Sequence, residues 1–170
     1  GKFNSLAALI YRVYVASLYE YISEKDSLKI LENIEEPLLG NPLIVKYKGK
    51  LISQDLCNSV YEFYSVTKDA HFPRKVKIAE LGAGYGRLGY VLLKTLPQSS
   101  YCIIDIPPAL FIAQNYLSMV FPKEKIFKFR PFKSFKEVKK EFEDSRIKFL
   151  IPHQLELLPD KYFEIFVNIS

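Results

Sequence analysis

The feature that most constrains the fold of this chain is a short apolar segment followed by three glycines at alternate positions. The segment runs Val76-Lys77-Ile78-Ala79-Glu80-Leu81-Gly82-Ala83-Gly84-Tyr85-Gly86-Arg87. Glycine permits the positive φ angles of a tight turn and lets a ligand approach the backbone, because it has no Cβ. A helix beginning at Arg87 would direct its unpaired N–H groups back at this turn. The segment therefore predicts a strand, a ligand-binding turn and a helix.

Strand and helix patterns alternate along the chain from this point. The predicted strands cover residues 76–81, 101–106, 126–129, 147–151 and 163–169, and the predicted helices cover 87–96, 107–121 and 134–144. Such alternation is typical of a parallel sheet covered on both faces, with its ligand at the carboxyl ends of the strands. We therefore expect residues 71–170 to form a Rossmann-like doubly wound parallel sheet. We also expect this α/β sheet to be incomplete at the C-terminus, with the first four core strands present.

The first 70 residues show a different pattern. Helices are predicted over residues 5–22, with Asn4 or Ser5 as cap, over 27–34, and from the capping residue Ser53 onward, with a small hairpin around Gly49. The first helix carries a largely apolar series at helical spacing: Leu6, Leu9, Ile10, Val13, Ser17 and Tyr21. We therefore expect residues 1–70 to form an α-helical N-terminal cap.

Composition excludes several classes of protein. Hydrophobic residues make up 49% of the chain, which is enough for a packed core. No apolar run is long enough to span a membrane, because Arg12 and Glu20 interrupt the N-terminal segment. Cys57 and Cys102 lie in apolar contexts, so we expect two buried thiols rather than a disulfide. These features predict a soluble, cytoplasmic protein.

The net charge of +5 comes from one segment. Residues 123–148 contain ten Lys or Arg and five Asp or Glu. Such a segment can attract a phosphorylated substrate, a nucleic acid or an anionic membrane. We expect instead a helix with a solvated basic face, because Phe135, Val138 and Phe142 recur at helical spacing on its other side. Nucleic acid is therefore not an expected partner.

The glycine turn can be compared with two well-known classes of nucleotide-binding site. A P-loop is excluded, because Gly86 is followed by Arg87 and Leu88 rather than by Lys and Ser or Thr. A dinucleotide site is a closer rival, since Asp105 lies about 20 residues beyond a G-x-G-x-x-G frame. That frame is Gly84-Tyr85-Gly86-Arg87-Leu88-Gly89. This frame begins at Gly84, two residues further along than expected after a strand that ends at Leu81, and it gives Glu80 no role. Both points count against a dinucleotide site.

A third interpretation uses all of these residues. Glu80-x-Gly82-x-Gly84-x-Gly86 after a first strand, with Asp105 ending the second, resembles motif I and the ribose-binding acid of class I S-adenosylmethionine-dependent methyltransferases. The resemblance implies S-adenosylmethionine as cofactor. It also implies a set of cofactor-binding residues at the turn and after the second strand: Glu80, Leu81, Gly82, Ala83, Gly84, Tyr85, Gly86, Asp105 and Ile106.

A narrower resemblance covers residues 76–170 and, more loosely, 49–66. Its segments are Asp105-Ile106-Pro107-Pro108, Gln114-Asn115-Tyr116-Leu117, Phe149-Leu150-Ile151-Pro152-His153-Gln154-Leu155-Glu156-Leu157-Leu158-Pro159 and Phe166-Val167-Asn168-Ile169-Ser170. They resemble a bacterial family of sugar O-methyltransferases, which implies a small-molecule or glycan acceptor. His153 and Gln154 would then contact adenine, and Asn168 would lie near the meeting point of methyl donor and acceptor.

The sequence assigns no catalytic base. His153 is a candidate for that role, although an adenine contact or a structural role is expected instead. His71 is expected at the surface, and no cluster of His, Cys and carboxylates has the spacing of a metal site. Two alternatives stay open, an NAD(P)-dependent Rossmann oxidoreductase and a non-catalytic basic binding module, and the oligomeric state stays undetermined.

Overall fold

The fold is described by a computed structural model, which covers residues 5–68 and 75–169. The chain divides into two compact units, residues 1–68 and 69–170. Three residues named in the sequence predictions, Asn4, His71 and Ser170, lie outside the described residues. None of the described helices is long and apolar enough to cross a membrane.

The N-terminal unit combines helices with one hairpin. Its elements are α1 (Ser5–Ser23), α2 (Ile30–Asn33), β1 (Ile44–Tyr47), β2 (Lys50–Ser53) and α3 (Gln54–Thr67). The strands β1 and β2 pair antiparallel around Gly49, as predicted. Ser53 caps α3 as predicted, because its Oγ accepts a hydrogen bond of 3.0 Å from the Leu56 backbone N–H.

The second helix is shorter than predicted. Residues 27–34 were expected to be helical, but only Ile30–Asn33 are. The carboxylate of the buried Asp26 accepts hydrogen bonds from the backbone N–H groups of Ile30, at 2.8 Å, and Leu31, at 2.7 Å. Because this side chain takes two of the free N–H groups of a helix start, α2 begins at residue 30.

The apolar series of α1 faces solvent instead of the core. Val15, Tyr19 and Ile22 are the buried residues of this helix. Leu6, Leu9, Ile10 and Val13 are more than half exposed. Helical spacing predicted the helix, but it did not distinguish the buried face from the exposed one.

The C-terminal unit is an α/β sheet. Its elements are β3 (Lys77–Leu81), α4 (Arg87–Thr95), β4 (Ser100–Ile104), α5 (Pro107–Val120), β5 (Ile126–Phe127), α6 (Phe135–Asp144), β6 (Ile147–Leu150), a 3₁₀ helix (Pro152–Leu157) and β7 (Ile165–Asn168). The five strands pair in parallel in the order β5-β6-β4-β3-β7. The predicted strands and helices are confirmed, whereas the 3₁₀ helix was not foreseen.

Helices cover both faces of this sheet. On one face, Val138 and Phe142 of α6 pack in a core with residues of the central strands: Ala79, Cys102, Ile104 and Leu150. Ile103 points to the other face, because side chains alternate along a strand, and Leu117 of α5 lies beside it at Gly86. The predicted doubly wound, Rossmann-like architecture is thereby confirmed.

A buried lysine lies inside the sheet. Lys148 is 1% exposed, and it lies between Cys102 and Phe127 in the strand register. Its ammonium donates a hydrogen bond to the backbone carbonyl of Ser145. Burial lowers the pKa of Lys148 to about 8, and burial raises the pKa of Cys102 to about 12. The strand therefore carries a cation where an apolar side chain would be expected.

Arg146 joins three segments at the ends where the strands begin. Its guanidinium donates to the carbonyls of Ser99 at 3.1 Å, Leu93 at 2.6 Å and Leu96 at 3.3 Å. It also forms an ion pair with Glu124. These bonds satisfy carbonyls at the C-terminal end of α4, which the helix itself leaves unpaired.

Candidate functional site

The loops that follow the strands of the C-terminal unit lie side by side. Leu81 ends β3 and is in register with Ile104 and Asn168, the last residues of β4 and β7. Backbone hydrogen bonds extend the ladder past the strands, from Gly82 N–H to the Ile104 carbonyl at 3.0 Å and from Asp105 N–H to the Leu150 carbonyl at 3.2 Å. We call this row of loops the carboxyl edge. It brings together predicted residues from four separate segments.

The first two glycines of the turn are open to the surroundings. Gly82 has a φ of 75° and Gly84 a φ of 56°, which L side chains rarely adopt. A Cβ built on either residue would meet nothing within 4 Å. The backbone of the turn is therefore accessible to a ligand at these two positions.

The next two glycines are packing positions. A Cβ on Gly86 would lie 3.3 Å from the side chains of Ile103 and Leu117. A Cβ on Gly89 would lie only 2.4 Å from Cε1 of the Tyr101 ring. Both glycines allow close packing at the start of α4, and the Cα of neither one is accessible to a ligand.

Glu80 lies deeper than the sequence suggested. It was expected at the end of the strand, with its carboxylate offered to a ligand. It is one residue inside β3, is 5% exposed and is in register with Ile103, on the face that α5 covers. Its role as a ligand contact stays a prediction.

A chain of contacts connects α5 to the turn. Arg87 is buried, and its Nη1 donates a hydrogen bond of 3.0 Å to the hydroxyl of Tyr116. The Tyr116 ring meets the Tyr85 ring edge-on at 5.4 Å, and Tyr85 stands between Gly84 and Gly86. Sequence reasoning missed this connection, although the spacing of Ala113, Tyr116 and Leu117 could have placed Tyr116 on the inner face of α5.

Asp105 follows β4 and is half-buried. Its Oδ1 accepts a hydrogen bond of 2.8 Å from the backbone N–H of Ile106, whose side chain is exposed. A carboxylate has about four accepting positions. This single hydrogen bond therefore leaves the group able to accept further donors, such as the hydroxyls of a ribose.

The predicted residues after β6 and β7 differ in their surroundings. His153 and Asn168 are exposed. Gln154 is buried, its Nε2 donates to the Arg130 carbonyl at 2.9 Å, and its Oε1 accepts from the Ile151 N–H at 3.2 Å. Gln154 therefore joins two loops of the protein through its amide, while its predicted contact with adenine stays untested.

Grooves in the described part of the C-terminal unit lie away from the glycine turn. One of about 520 Å³ is lined by residues of α6 and its neighbours, with mixed charges: Lys125, Ile126, Lys136, Glu137, Lys140, Glu141, Asp144 and Ser145. Another, of about 270 Å³, lies between the 3₁₀ helix and β7, and one of about 320 Å³ is lined by residues 95–98 at the end of α4. Within residues 5–68 and 75–169, no group of three or more His, Cys, Asp or Glu side chains could hold a metal ion.

Comparisons with known proteins give structural likenesses only. No family model matches the chain, and neither does any curated protein. The YcgJ protein from Bacillus subtilis is 14% identical with a TM-score of 0.40, over 64% of this chain and 37% of that one. The glycopeptide N-methyltransferase MtfA, crystallised with sinefungin, is 17% identical with a TM-score of 0.38, over 72% of this chain and 39% of that one.

This chain therefore spans less than two-fifths of the length of either structure. Likenesses at such TM-scores define neither a family nor a ligand. The assignment of a ligand depends on the residues of this chain.

Proposed function

We propose that the C-terminal unit binds S-adenosylmethionine at its carboxyl edge and that the protein is an S-adenosylmethionine-dependent methyltransferase. One observation carries the proposal. The open turn at Gly82 and Gly84 lies directly beside Asp105, because the Gly82 N–H bonds the last carbonyl of β4. A nucleoside with an extended amino-acid substituent needs both features, a close approach to the backbone and a carboxylate for its ribose.

The roles of the residues follow from their exposure. The backbone of Gly82 and Gly84 would lie against the methionine and ribose portions, and Asp105 would accept hydrogen bonds from the ribose hydroxyls. The exposed side chain of Ile106 would pack on the adenine, with His153 near its edge. Gln154 would hold the loop after β6 in place through its bonds to Arg130 and Ile151.

The packing of the glycines supports this cofactor over a dinucleotide. In the dinucleotide fingerprint the second glycine lets the pyrophosphate approach, and the third packs the helix on the strand. Gly89 fits the third position, since it lies against Tyr101. Gly86 would be the second, but it is buried against Ile103 and Leu117, whereas the open glycines stand at 82 and 84.

When bound, S-adenosylmethionine supplies an activated methyl group for transfer to a nucleophile. The contribution of this chain would be to hold the donor in one orientation, and positioning of that kind accounts for much of the rate of a two-reactant step. We propose a hydroxyl of a sugar or glycan precursor as acceptor, on the resemblance of residues 76–170 to sugar O-methyltransferases. His153 is assigned to the adenine edge, so the base that would remove the hydroxyl proton stays unassigned.

The charge distribution gives little support to a basic binding module. Arg130 pairs with Glu141 at 2.5 Å, Arg146 pairs with Glu124, and Lys148 is buried. Lys136, Lys139 and Lys140 alternate with acids along α6. A nucleic-acid site requires an unneutralised row of cations.

Calorimetric titration tests the proposed cofactor. S-adenosylhomocysteine is expected to bind, NAD(H) is not, and Asp105→Ala is expected to weaken S-adenosylhomocysteine at least about fivefold through the loss of charge-assisted hydrogen bonds. Asp144→Ala, an exposed acid at the end of α6, is the matched control and should bind normally. Tight NAD binding without a response to S-adenosylhomocysteine would contradict the proposal.

A further inference from the structure

The outer face of α5 is apolar. This helix contains no charged residue. Its most exposed large side chains are Phe111 at 65%, Ile112 at 56% and Met119 at 61%. Together with the exposed Pro108 and Asn115 they recur at spacings of three and four residues and form one stripe. We call these five residues the α5 stripe.

A surface helix normally has the opposite arrangement. The inner face of α5 is already buried on the sheet through Leu110, Ala113, Tyr116 and Leu117. Its outer face should therefore be polar, as it is in α6 of the same unit, where the exposed positions are occupied by Lys, Glu and Asp. A contiguous exposed apolar surface marks a site for a protein or a membrane.

Cations flank the α5 stripe. Lys94 Nζ lies 5.6 Å from the ring centroid of Phe121, the residue that caps the C-terminus of α5. Lys123 follows that cap and is exposed. The Phe129 N–H bonds the Gln114 side chain of α5 at 2.7 Å, which places the exposed Lys128 alongside the same helix.

We propose that the α5 stripe docks the protein on an anionic lipid bilayer. Helices that lie in the membrane interface combine an apolar face with flanking basic residues, which reach the lipid headgroups through their long side chains. Phe111, Ile112 and Met119 would enter the interface, and the lysines would contact anionic headgroups. Docking of this kind does not depend on the proposed cofactor, and it requires no membrane-spanning helix.

The size of the stripe favours a bilayer over a second copy of the chain. Its side chains offer roughly 400 to 500 Å² of apolar surface, whereas a stable protein interface buries about 800 Å² on each partner. A bilayer needs no complementary shape and gains affinity from every nearby cation. The uncharged stripe with its cationic border fits that requirement.

A single-tryptophan variant tests the proposal, since the chain contains no tryptophan. The fluorescence of Phe111→Trp is expected to shift to shorter wavelength when vesicles containing about 30% phosphatidylglycerol are added, and to shift less in about 0.5 M salt. Leu38→Trp is the matched control, because Leu38 is similarly exposed at 57% and lies outside the exposed apolar series of α1. Its emission should not change.

Vesicle flotation gives the affinity. Phe111→Ser combined with Met119→Ser should weaken binding at least about tenfold, and Lys123→Gln combined with Lys128→Gln should weaken it about tenfold or more on anionic vesicles only. All four positions are exposed, and circular dichroism of each variant verifies the fold.

Three outcomes would overturn the docking surface. The first is the absence of binding to anionic vesicles, and the second is a spectral shift in Leu38→Trp equal to that in Phe111→Trp. The third is a dimer without lipid, seen by sedimentation velocity, that Phe111→Ser dissociates, because the stripe would then bind a second copy.

Discussion

The two ends of the parallel sheet use their polar groups differently. We call the end of the sheet where the strands begin the amino edge. The polar groups there bond one another: Arg146 donates to three carbonyls, and the Val76 N–H donates to the Ser99 hydroxyl at 3.2 Å. At the carboxyl edge Gly82 and Gly84 are open, and the side chains of Asp105, Ile106, His153 and Asn168 are half-buried or exposed. One end is thus completed by the chain itself, and the other retains groups for a ligand.

The difference predicts which property each substitution changes. Changes at the amino edge should lower the free energy of unfolding and leave ligand affinity unaffected in the folded fraction. Changes at the carboxyl edge should do the reverse. The four predictions below test this division, from the largest expected effect to the smallest.

Gly89→Val should have the largest effect. Its Cβ would lie 2.4 Å from the Tyr101 ring, so α4 must move away from β4. Overpacking of a core position costs about 1–3 kcal/mol and occasionally more, and we expect about 3 kcal/mol from urea unfolding. A loss under about 0.5 kcal/mol would show that α4 does not depend on this close approach.

Arg146→Ala should lower the free energy of unfolding by about 2–3 kcal/mol, because buried carbonyls lose their donor. Arg146→Lys is the matched control. It retains the charge but not the planar fork of donors, and it should recover less than half of the loss. Full recovery by lysine would mean that the charge, rather than the bonds to Leu93, Leu96 and Ser99, stabilises this end of the sheet.

Gly84→Ala should change binding more than folding. Nothing lies within 4 Å of the new methyl group, so the cost to folding is the strain of a φ of 56°, about 1 kcal/mol. The methyl would occupy space that we assign to the cofactor, and affinity for S-adenosylhomocysteine should fall at least about tenfold. Unchanged affinity together with that modest destabilisation would remove Gly84 from the site.

Lys148 should make stability depend on pH. Its pKa is lowered to about 8, below that of the unfolded chain, so the unfolded state holds more protons above pH 8 and stability rises with pH there. From pH 7 to 9 the wild type should gain roughly 1 kcal/mol relative to Lys148→Met. Taking this difference cancels the opposite contributions of Cys57 and Cys102, whose pKa values burial raises to about 12. If the free energy of unfolding changed with pH in the same way in the wild type and in Lys148→Met, the prediction would be contradicted.

Local patterns predicted most of the fold. Strand and helix bounds after residue 75 follow from apolar runs and helical spacing, and the turn follows from three glycines, because these signals lie within a few residues of one another. The exposure of the α1 series does not follow, since spacing defines an apolar face but not which neighbour covers it. The shortened α2 depends on the Asp26 side chain, whose bonds to Ile30 and Leu31 could be inferred only once the helix start was known.

The sequence predicted which residues belong to the candidate site, but not how deeply each is buried or which residues it contacts. The positions of Gly82, Gly84 and Asp105 follow from the rule that parallel strands end at one edge. The depth of Glu80 and the bonds of Gln154 depend on partners far away in sequence, since Arg130 precedes Gln154 by 24 residues. The contact of Tyr85 with Tyr116 likewise requires knowledge of how α5 packs.

The most direct test of the account is an amide chemical-shift titration of the isotope-labelled chain with S-adenosylhomocysteine. The shifts should concentrate at the carboxyl edge, on Gly82, Gly84 and Asp105. The amides of Tyr101 and Arg146 at the amino edge should stay in place. Saturable shifts confined to the amino edge or to α6, or no saturable shift at all, would contradict the assignment of the cofactor site.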